Sequence, residues 1–449
     1  MSRLLTFAPG VGLAETGGLT AACHATAIEM ADGTEPAIFC VGYDPRMFKT
    51  MRSVLRFRRF EFSRVKRRLA RAVSVADLRE IARRRLPGGV FDYIDGGAED
   101  EIALAESVAA YRRLEFRPRV LQGVSAADPT ATLLGRPMSL PLVLAPTGFT
   151  RIADPQGELA VARAAQRAGV PYALSTLGTR SIEEVAAVSN GRLWFQVYVW
   201  RDRGLVEEMI ARAAAFGYEA LCLTVDATVI GRRERDVRRG FTLPPKLGLG
   251  SVFDGIRHPA WTWQFLRSEP IVFSNIVGES VGDGSDAISL AEYVNKQFDP
   301  ALSWRDLEWL RSKWSGPIVI KGIQSVEDAI DAAAEGVEAI AVSNHGGRQL
   351  DSAPSTLELI QPIAEAVGDR VEVIADGGIR RGADIVKALA LGARAAMAGR
   401  AYLYGLGAAG ERGVDHVLAM LDADVRRTMT LVGAATVAGL TPAHVSWRR

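Results

Sequence analysis

Eight short apolar stretches, separated by chain of helical period, constrain this sequence more than any other feature. They are LVLAP (142–146), YALS (172–175), LWFQVYV (193–199), ALCLTVD (220–226), PIVIK (317–321), AIAVS (339–343), VEVIAD (371–376) and AAMAG (395–399). The runs are continuously apolar rather than alternating, as expected of strands buried on both faces of a parallel sheet. Amphipathic helices are predicted between them, among them Gly157–Ala168, 205–216, Val326–Ala334 and 381–391. Eight strands alternating with helices predict an α/β fold closed as a (β/α)8 TIM barrel.

Spacing then divides the chain. Successive strand ends at Pro146, Ser175, Gln196 and Thr224 lie 29, 21 and 28 residues apart, and Thr224 to Lys321 is 97. The steps from Lys321 through Ser343 and Asp376 to Gly399 return to 22, 33 and 23. A long insertion, 227–305, therefore follows the fourth strand. It carries Trp261, Trp263, Phe265 and Phe273, and such a loop reads as a lid or a binding surface. The barrel domain is expected over 72–445, with an N-terminal extension over 1–71.

Residues 1–50 have weak periodicity and receive no function. From about 51 the extension turns basic: residues 51–71 hold nine Arg or Lys against Glu61, interleaved with Leu55, Phe57, Phe60 and Phe62. Two readings stand, a solvated and disordered lead-in or a basic-aromatic patch resting on anionic lipid. Ser74 is expected to cap a helix whose buried face is Leu78, Ile81, Ala82 and Leu86, stopped by Pro87 and the glycines after it. FDYIDGGAEDE then reads as a loop presenting Tyr93.

Composition excludes several classes. With 54 basic and 52 acidic residues, the chain does not have the charge of a nucleic-acid binder. Five histidines and Cys23, Cys40 and Cys222 form neither a metal-ligand pattern nor a disulfide framework, and Cys222 reads as a core thiol. No apolar run is long enough to span a bilayer, and residues 1–20 lack a secretory apolar core. A soluble protein of the cytoplasm is the default expectation.

Residues able to do chemistry cluster at the strand ends. In AVSNHGGRQLD (341–351), His345 and Arg348 offer a proton acceptor beside a guanidinium that can fork onto a carboxylate. Asp226 ends the fourth strand and would orient an imidazole. GRRERD (231–236) supplies Arg233, a second anion binder. Lys321 points into a barrel mouth, where it needs an anion or serves as a Schiff-base amine. Asp376, Gly377, Gly378 and Arg380 precede one helix, Gly399 and Arg400 another. Barrels commonly bind phosphate there, although a glycine pair also makes a plain turn.

Taken in order, LTVD with GRRERD, IVIKG, SNHGGRQLD, DGGIRRGAD and AGRAYLYG resemble the FMN-dependent α-hydroxy-acid dehydrogenase/oxidase family. The likeness extends through FDYIDGGAEDE, LAPTGFT, LSTLGT and FQVYVW, and within the family it is nearest to bacterial L-lactate dehydrogenases. The resemblance implies that His345 is the base and Asp226 its partner. It implies that Arg233 and Arg348 hold the substrate carboxylate, with Tyr93 and Tyr198 lining the pocket. FMN would be held by Pro146, Thr147, Gly148, Ser175, Gln196, Tyr198 and Thr224, with Lys321 at the flavin N1/O2 edge and Ser343 touching the ring. Asp376, Gly377, Gly378, Ile379, Arg380, Gly399 and Arg400 would take the ribityl chain and phosphate.

The implied activity is oxidation of a small L-2-hydroxy acid, L-lactate favoured, with electrons passed to a quinone or another non-NAD acceptor. The alternatives are an oxidase using oxygen and a dehydrogenase for a larger acid such as mandelate. A homotetramer with no metal is implied, with a peripheral contact on the inner face of the cell membrane as a further expectation. Three positions depart from relatives: Ile94 where some have tyrosine, Leu177 where glycolate oxidase has an aromatic, and Gly148 where several oxidases have alanine.

Overall fold

The eight apolar runs become eight parallel strands joined edge to edge in chain order. They are β1 (Leu142–Leu144), β2 (Tyr172–Ser175), β3 (Leu193–Val197), β4 (Ala220–Thr224), β5 (Ile318–Ile323), β6 (Ala339–Val342), β7 (Glu372–Asp376) and β8 (Ala395–Ala398). β8 pairs back onto β1, so the sheet closes into the expected barrel and leaves no edge. The computed structural model describes residues 61–240, 248–276 and 296–448. It separates Met1–Ser63 from Arg64–Arg449, the unit that holds the barrel. The expectations for residues 1–60, with Cys23, Cys40, His24 and the Leu55, Phe57 and Phe60 part of the basic stretch, lie outside the described residues.

Side chains fill the barrel interior. Alanines at 145, 173, 220, 339, 341 and 395 surround Trp194, Val143, Val319, Ile374 and Met397, all buried. Small residues on most strands leave room for one indole, which is how an eight-stranded barrel packs solid. A hairpin formed by Ala131–Leu133 and Arg136–Met138 plugs the N-terminal end with Leu133 and Met138. That end is closed by apolar packing, so the opposite end is left for a site.

Helices Gly157–Ala168 and Val326–Ala334 have the predicted bounds, and Ser74 caps Val75–Arg85 by accepting from the Asp77 N–H. Two differences concern the N-terminal region. Residues 88–95 are a helix, Gly88–Asp95, so Tyr93 sits on a last helical turn rather than in a loop. Pro87 stands at its N-cap, where its fixed φ suits a helix start; it ends one helix and begins the next. The final part of the basic stretch is also ordered: Arg64–Leu69 is helical, and Arg68 donates 2.8 Å to the Ala408 carbonyl at the end of helix Arg400–Ala409.

The insertion is not structureless either. It holds short helices Glu234–Arg238, Leu249–Arg257 and Pro259–Arg267. It is fastened to the barrel mouth by Trp261 Nε1 on the Ile152 carbonyl, Arg151 on the Glu269 and Pro270 carbonyls, and the Asn275 amide between the Ile182 N–H and the Ser175 carbonyl. Among the described residues, no helix is long and apolar enough to cross a membrane.

Candidate active site

Strand register sets the level of the site. Ser175 pairs with Gln196, Thr224 with Lys321 and Asp376 with Met397. Residues predicted from separate strand ends thus stand in one ring at the C-terminal mouth. They line a single pocket together with Tyr93, Tyr198, Arg233, His345 and Arg348.

His345 reaches that pocket through an unusual turn. His345, Gly346 and Gly347 have φ of 57, 67 and 69°, three successive left-handed residues. Glycine tolerates this; a histidine does so only when its surroundings hold it, a condition met often at functional sites. The Gly347 N–H closes the turn on the Asn344 carbonyl at 2.9 Å, and the Asn344 amide is anchored on Ser107 Oγ. The imidazole Nδ1 then lies 2.8 Å from Asp226 Oδ1. Nδ1–H toward the carboxylate is the assignment this contact supports, leaving Nε2 as an acceptor. Burial alone would raise the Asp226 pKa, but the facing His345 and Lys321 hold it below the usual value.

Two arginines and Tyr93 form the next wall. The Arg348 and Arg233 guanidinium carbons stand 5.1 and 5.5 Å from the Tyr93 ring centroid. Arg348 donates to the Tyr93 and Gly96 carbonyls at 2.7 and 3.0 Å. Among the described residues it makes no carboxylate ion pair. Burial, then the neighbouring Arg233 charge, push its pKa down to about 9. A half-buried cation in this position is relieved by an anion. Arg233 is held by backbone: Gly231 lies against the Arg348 loop so closely that a Cβ there would meet the Arg348 oxygen at 2.3 Å.

Lys321 is also buried, with Nζ 2.9 Å from Ser343 Oγ and 3.1 Å from Asp376 Oδ2. Burial opposes its charge, but Asp376 and Asp226 outweigh that and raise its pKa. A lysine held protonated this way is no Schiff-base nucleophile. Ser343 departs from expectation: it lies behind Lys321, fully buried, accepting from the His345 N–H and donating to Asp376, and does not line the pocket. It positions the two residues that do. Arg400 lines the pocket and donates from Nε and both terminal nitrogens to the carbonyls of Ile94, Gly346 and Gly96. Two of its five N–H groups remain for an anion.

Residues 82–447 match the model of the FMN-dependent dehydrogenases. The chain belongs to the FMN-dependent dehydrogenase family. It is 45% identical over 406 residues to a putative L-lactate dehydrogenase of Mycobacterium tuberculosis, covering 90% of this chain and 96% of that protein. It is 43% identical over 367 residues to an L-lactate oxidase of Nostoc sp., covering 81% and 95%. The solved monotopic membrane protein (S)-mandelate dehydrogenase superposes with a TM-score of 0.81 at 40% identity, covering 84% of this chain and all of that one.

This FMN-dependent dehydrogenase has a cradle that fits the flavin. Gln196 Oε1 accepts from Ser175 Oγ and the Thr176 N–H, which orients the amide and leaves Nε2 buried without a partner. Thr224 Oγ1 is likewise buried and unpartnered. Two orphaned polar groups beside a charged lysine are what a ring bearing carbonyl and imide groups would satisfy. Beyond them the Gly377–Gly378 turn and the start of helix Arg400–Ala409, with Arg380, face the same pocket, where they would suit a phosphate. The insertion adds Ala227, Ile230 and Phe298 to the lining. No motif marked these three, since they are ordinary apolar residues brought in by a long loop. Of the remaining histidines, His258, His416 and His444 bond to nearby backbone oxygens, consistent with packing roles. Cys222 is buried, its thiol pushed up to about 12 by burial.

Proposed function

We propose that this protein oxidises a small L-2-hydroxy acid, L-lactate favoured, to the 2-oxo acid, and passes the electrons to a quinone or another non-NAD acceptor. The observation carrying this reading is the pairing of a half-buried Arg348, without a carboxylate ion pair among the described residues, with His345–Asp226 across one pocket. Binding FMN alone needs neither. Arg348 and Arg233 take the substrate carboxylate, which places the 2-hydroxyl toward His345 Nε2. His345 accepts the hydroxyl proton, and Asp226 fixes its ring and stabilises the charge that develops. When bound, FMN supplies the two-electron acceptor. Lys321 keeps positive charge at the pocket wall where Gln196 and Thr224 present their donors.

The test is anaerobic bleaching of the yellow holoprotein by a panel of L-2-hydroxy acids. Fast bleaching by L-lactate is expected; no bleaching by any of them refutes the proposal. A larger acid such as mandelate is a second reading, supported by the likeness to mandelate dehydrogenase and by Leu177 in the pocket wall. Reoxidation with oxygen against a quinone separates an oxidase from a dehydrogenase.

A homotetramer and a peripheral site on the inner face of the cell membrane belong to the same proposal. Support for the latter comes from the insertion, where Val252, Phe253, Ile256, Trp263 and Leu266 are exposed alongside Arg257 and Arg267. Apolar residues with basic neighbours suit an anionic lipid surface. Cosedimentation with anionic vesicles, lost on replacing Phe253 and Trp263 by serine and retained in a chain starting at Ser74, would locate the contact in the insertion. Unchanged binding of the serine variant would refute it.

A further inference from the structure

Arg233 stands on the first residues of the insertion, at the N-cap of helix Glu234–Arg238. That helix has five residues, far fewer than an isolated helix needs. It brings no apolar anchor: Asp236 is its one buried residue, and Val237 is 61% exposed. Something other than hydrophobic packing must hold Arg233 in place.

Besides the Glu99 N–H on the Arg232 carbonyl at 2.9 Å, the Arg233–Asp236 pair at 3.5 Å and Arg239 on Asp92 at 3.0 Å, three carboxylates converge on Arg235. Its NH1 lies 3.0 Å from Asp95 Oδ2 and 3.8 Å from Asp92 Oδ1, and its NH2 is bonded to Glu101. All three carboxylates belong to the Gly88–Asp95 helix and the turn after it, the segment that presents Tyr93. Asp95 is buried and is gripped from the other side by Arg79 at 2.5 Å and the Tyr404 hydroxyl at 2.7 Å. The carbonyls of residues 93, 94 and 96 are in turn held by Arg348 and Arg400.

We propose that Arg235 is a positioning residue for carboxylate binding. It fastens the start of the insertion to the Tyr93-bearing segment and so sets the spacing of Arg233, Tyr93 and Arg348. It does not line the pocket itself. This rests on the reading of Arg233 and Arg348 as the substrate clamp. The fork matters as well as the charge: NH1 and NH2 of Arg235 face different carboxylates, Asp95 and Glu101, a span the single ammonium of a lysine does not reproduce.

The experiment uses the FMN-loaded full chain and oxalate, a small dicarboxylate that cannot be oxidised at a carbinol. In Arg235→Gln, the Kd for oxalate should rise about tenfold, equivalent to roughly 1.4 kcal/mol. Arg235→Lys should recover part of that loss, with the flavin spectrum unchanged in both. Hydrogen exchange at residues 88–101 and 231–240 should quicken in Arg235→Gln while the rest of the barrel stays protected. An unchanged oxalate Kd, or unchanged exchange in those two segments, overturns the inference. If Arg235→Gln does not fold, Glu101→Gln removes one carboxylate and should weaken oxalate severalfold; wild-type affinity there overturns it equally. Wild-type protein that binds no oxalate refutes the clamp reading instead, and the exchange result still decides whether Arg235 couples the two segments.

Discussion

Replacing Asp226 with asparagine probes the proton-accepting pair most directly. The two side chains are nearly isosteric, which matters because Asp226 is wedged against Gly322, where a Cβ would stand 2.7 Å from the Asp226 Cβ. The substitution therefore removes a charge and leaves an amide oxygen able to face His345 Nδ1, 2.8 Å away in the native pair. Opposite charges about 4 Å apart interact by roughly 4 kcal/mol at an effective dielectric of about 20. With the proton half transferred to His345, about half of that, ~2 kcal/mol, would be lost from the transition state. Such a loss slows the step about 30-fold. Anaerobic stopped-flow reduction of the flavin by L-lactate measures it, and the oxalate Kd serves as a control for the arginine clamp. Reduction within about threefold of wild type would show that the carboxylate does not stabilise the charged imidazole. A loss of oxalate binding equal to the loss of rate would show that it acts on ligand position instead.

His345→Gln should keep FMN, read by the visible spectrum, while flavin reduction by L-lactate almost disappears; retained fast reduction removes His345 as the base. Lys321→Met strands Asp376 beside an apolar side chain where a 3.1 Å ion pair stood. Breaking a buried pair from one side typically costs about 3–5 kcal/mol, so urea unfolding should register a loss of that order, and an unchanged midpoint would refute the coupling. Asp95 tests the acid limb of stability. Burial raises its pKa, but Arg79 and Tyr404 outweigh this and bring it to about 2. A depressed carboxylate stabilises the fold above its unfolded pKa near 4, and that contribution fades as pH falls toward 2. Asp95→Asn should therefore lose about 2 kcal/mol at pH 7 and flatten the pH dependence of unfolding between about 4 and 2. An unaltered acid limb would show that the carboxylate is not the titrating group.

Much of this molecule was legible before any coordinate. Continuous apolar runs of four to seven residues can hardly be anything but strands buried on both faces. Eight of them in alternation with helices close in chain order, so a residue at a strand end acquires known neighbours. That is why His345, Asp226, Lys321, Gln196 and Thr224 could be gathered from positions up to 149 residues apart, Gln196 to His345. The sequence marks Tyr93 but not its helix, since the glycines at 88, 89, 96 and 97 on both sides of Gly88–Asp95 look like a break.

What the tertiary structure decided lies mainly outside the repeating unit. Ser343 points into the barrel on the same side as Lys321 and Asp376, yet its hydroxyl is taken up by those two side chains, which cover it from the pocket. Arg400 has its guanidinium on backbone carbonyls whose location depends on how the Gly88–Asp95 helix packs. Ile230 and Phe298 enter the pocket only because the insertion folds back over the mouth, and Arg235 matters only because Asp95 waits 140 residues earlier in the chain. Local periodicity records which face of an element is buried. It holds no record of which distant carboxylate a guanidinium will meet, because that contact exists only once the barrel has brought the two segments together.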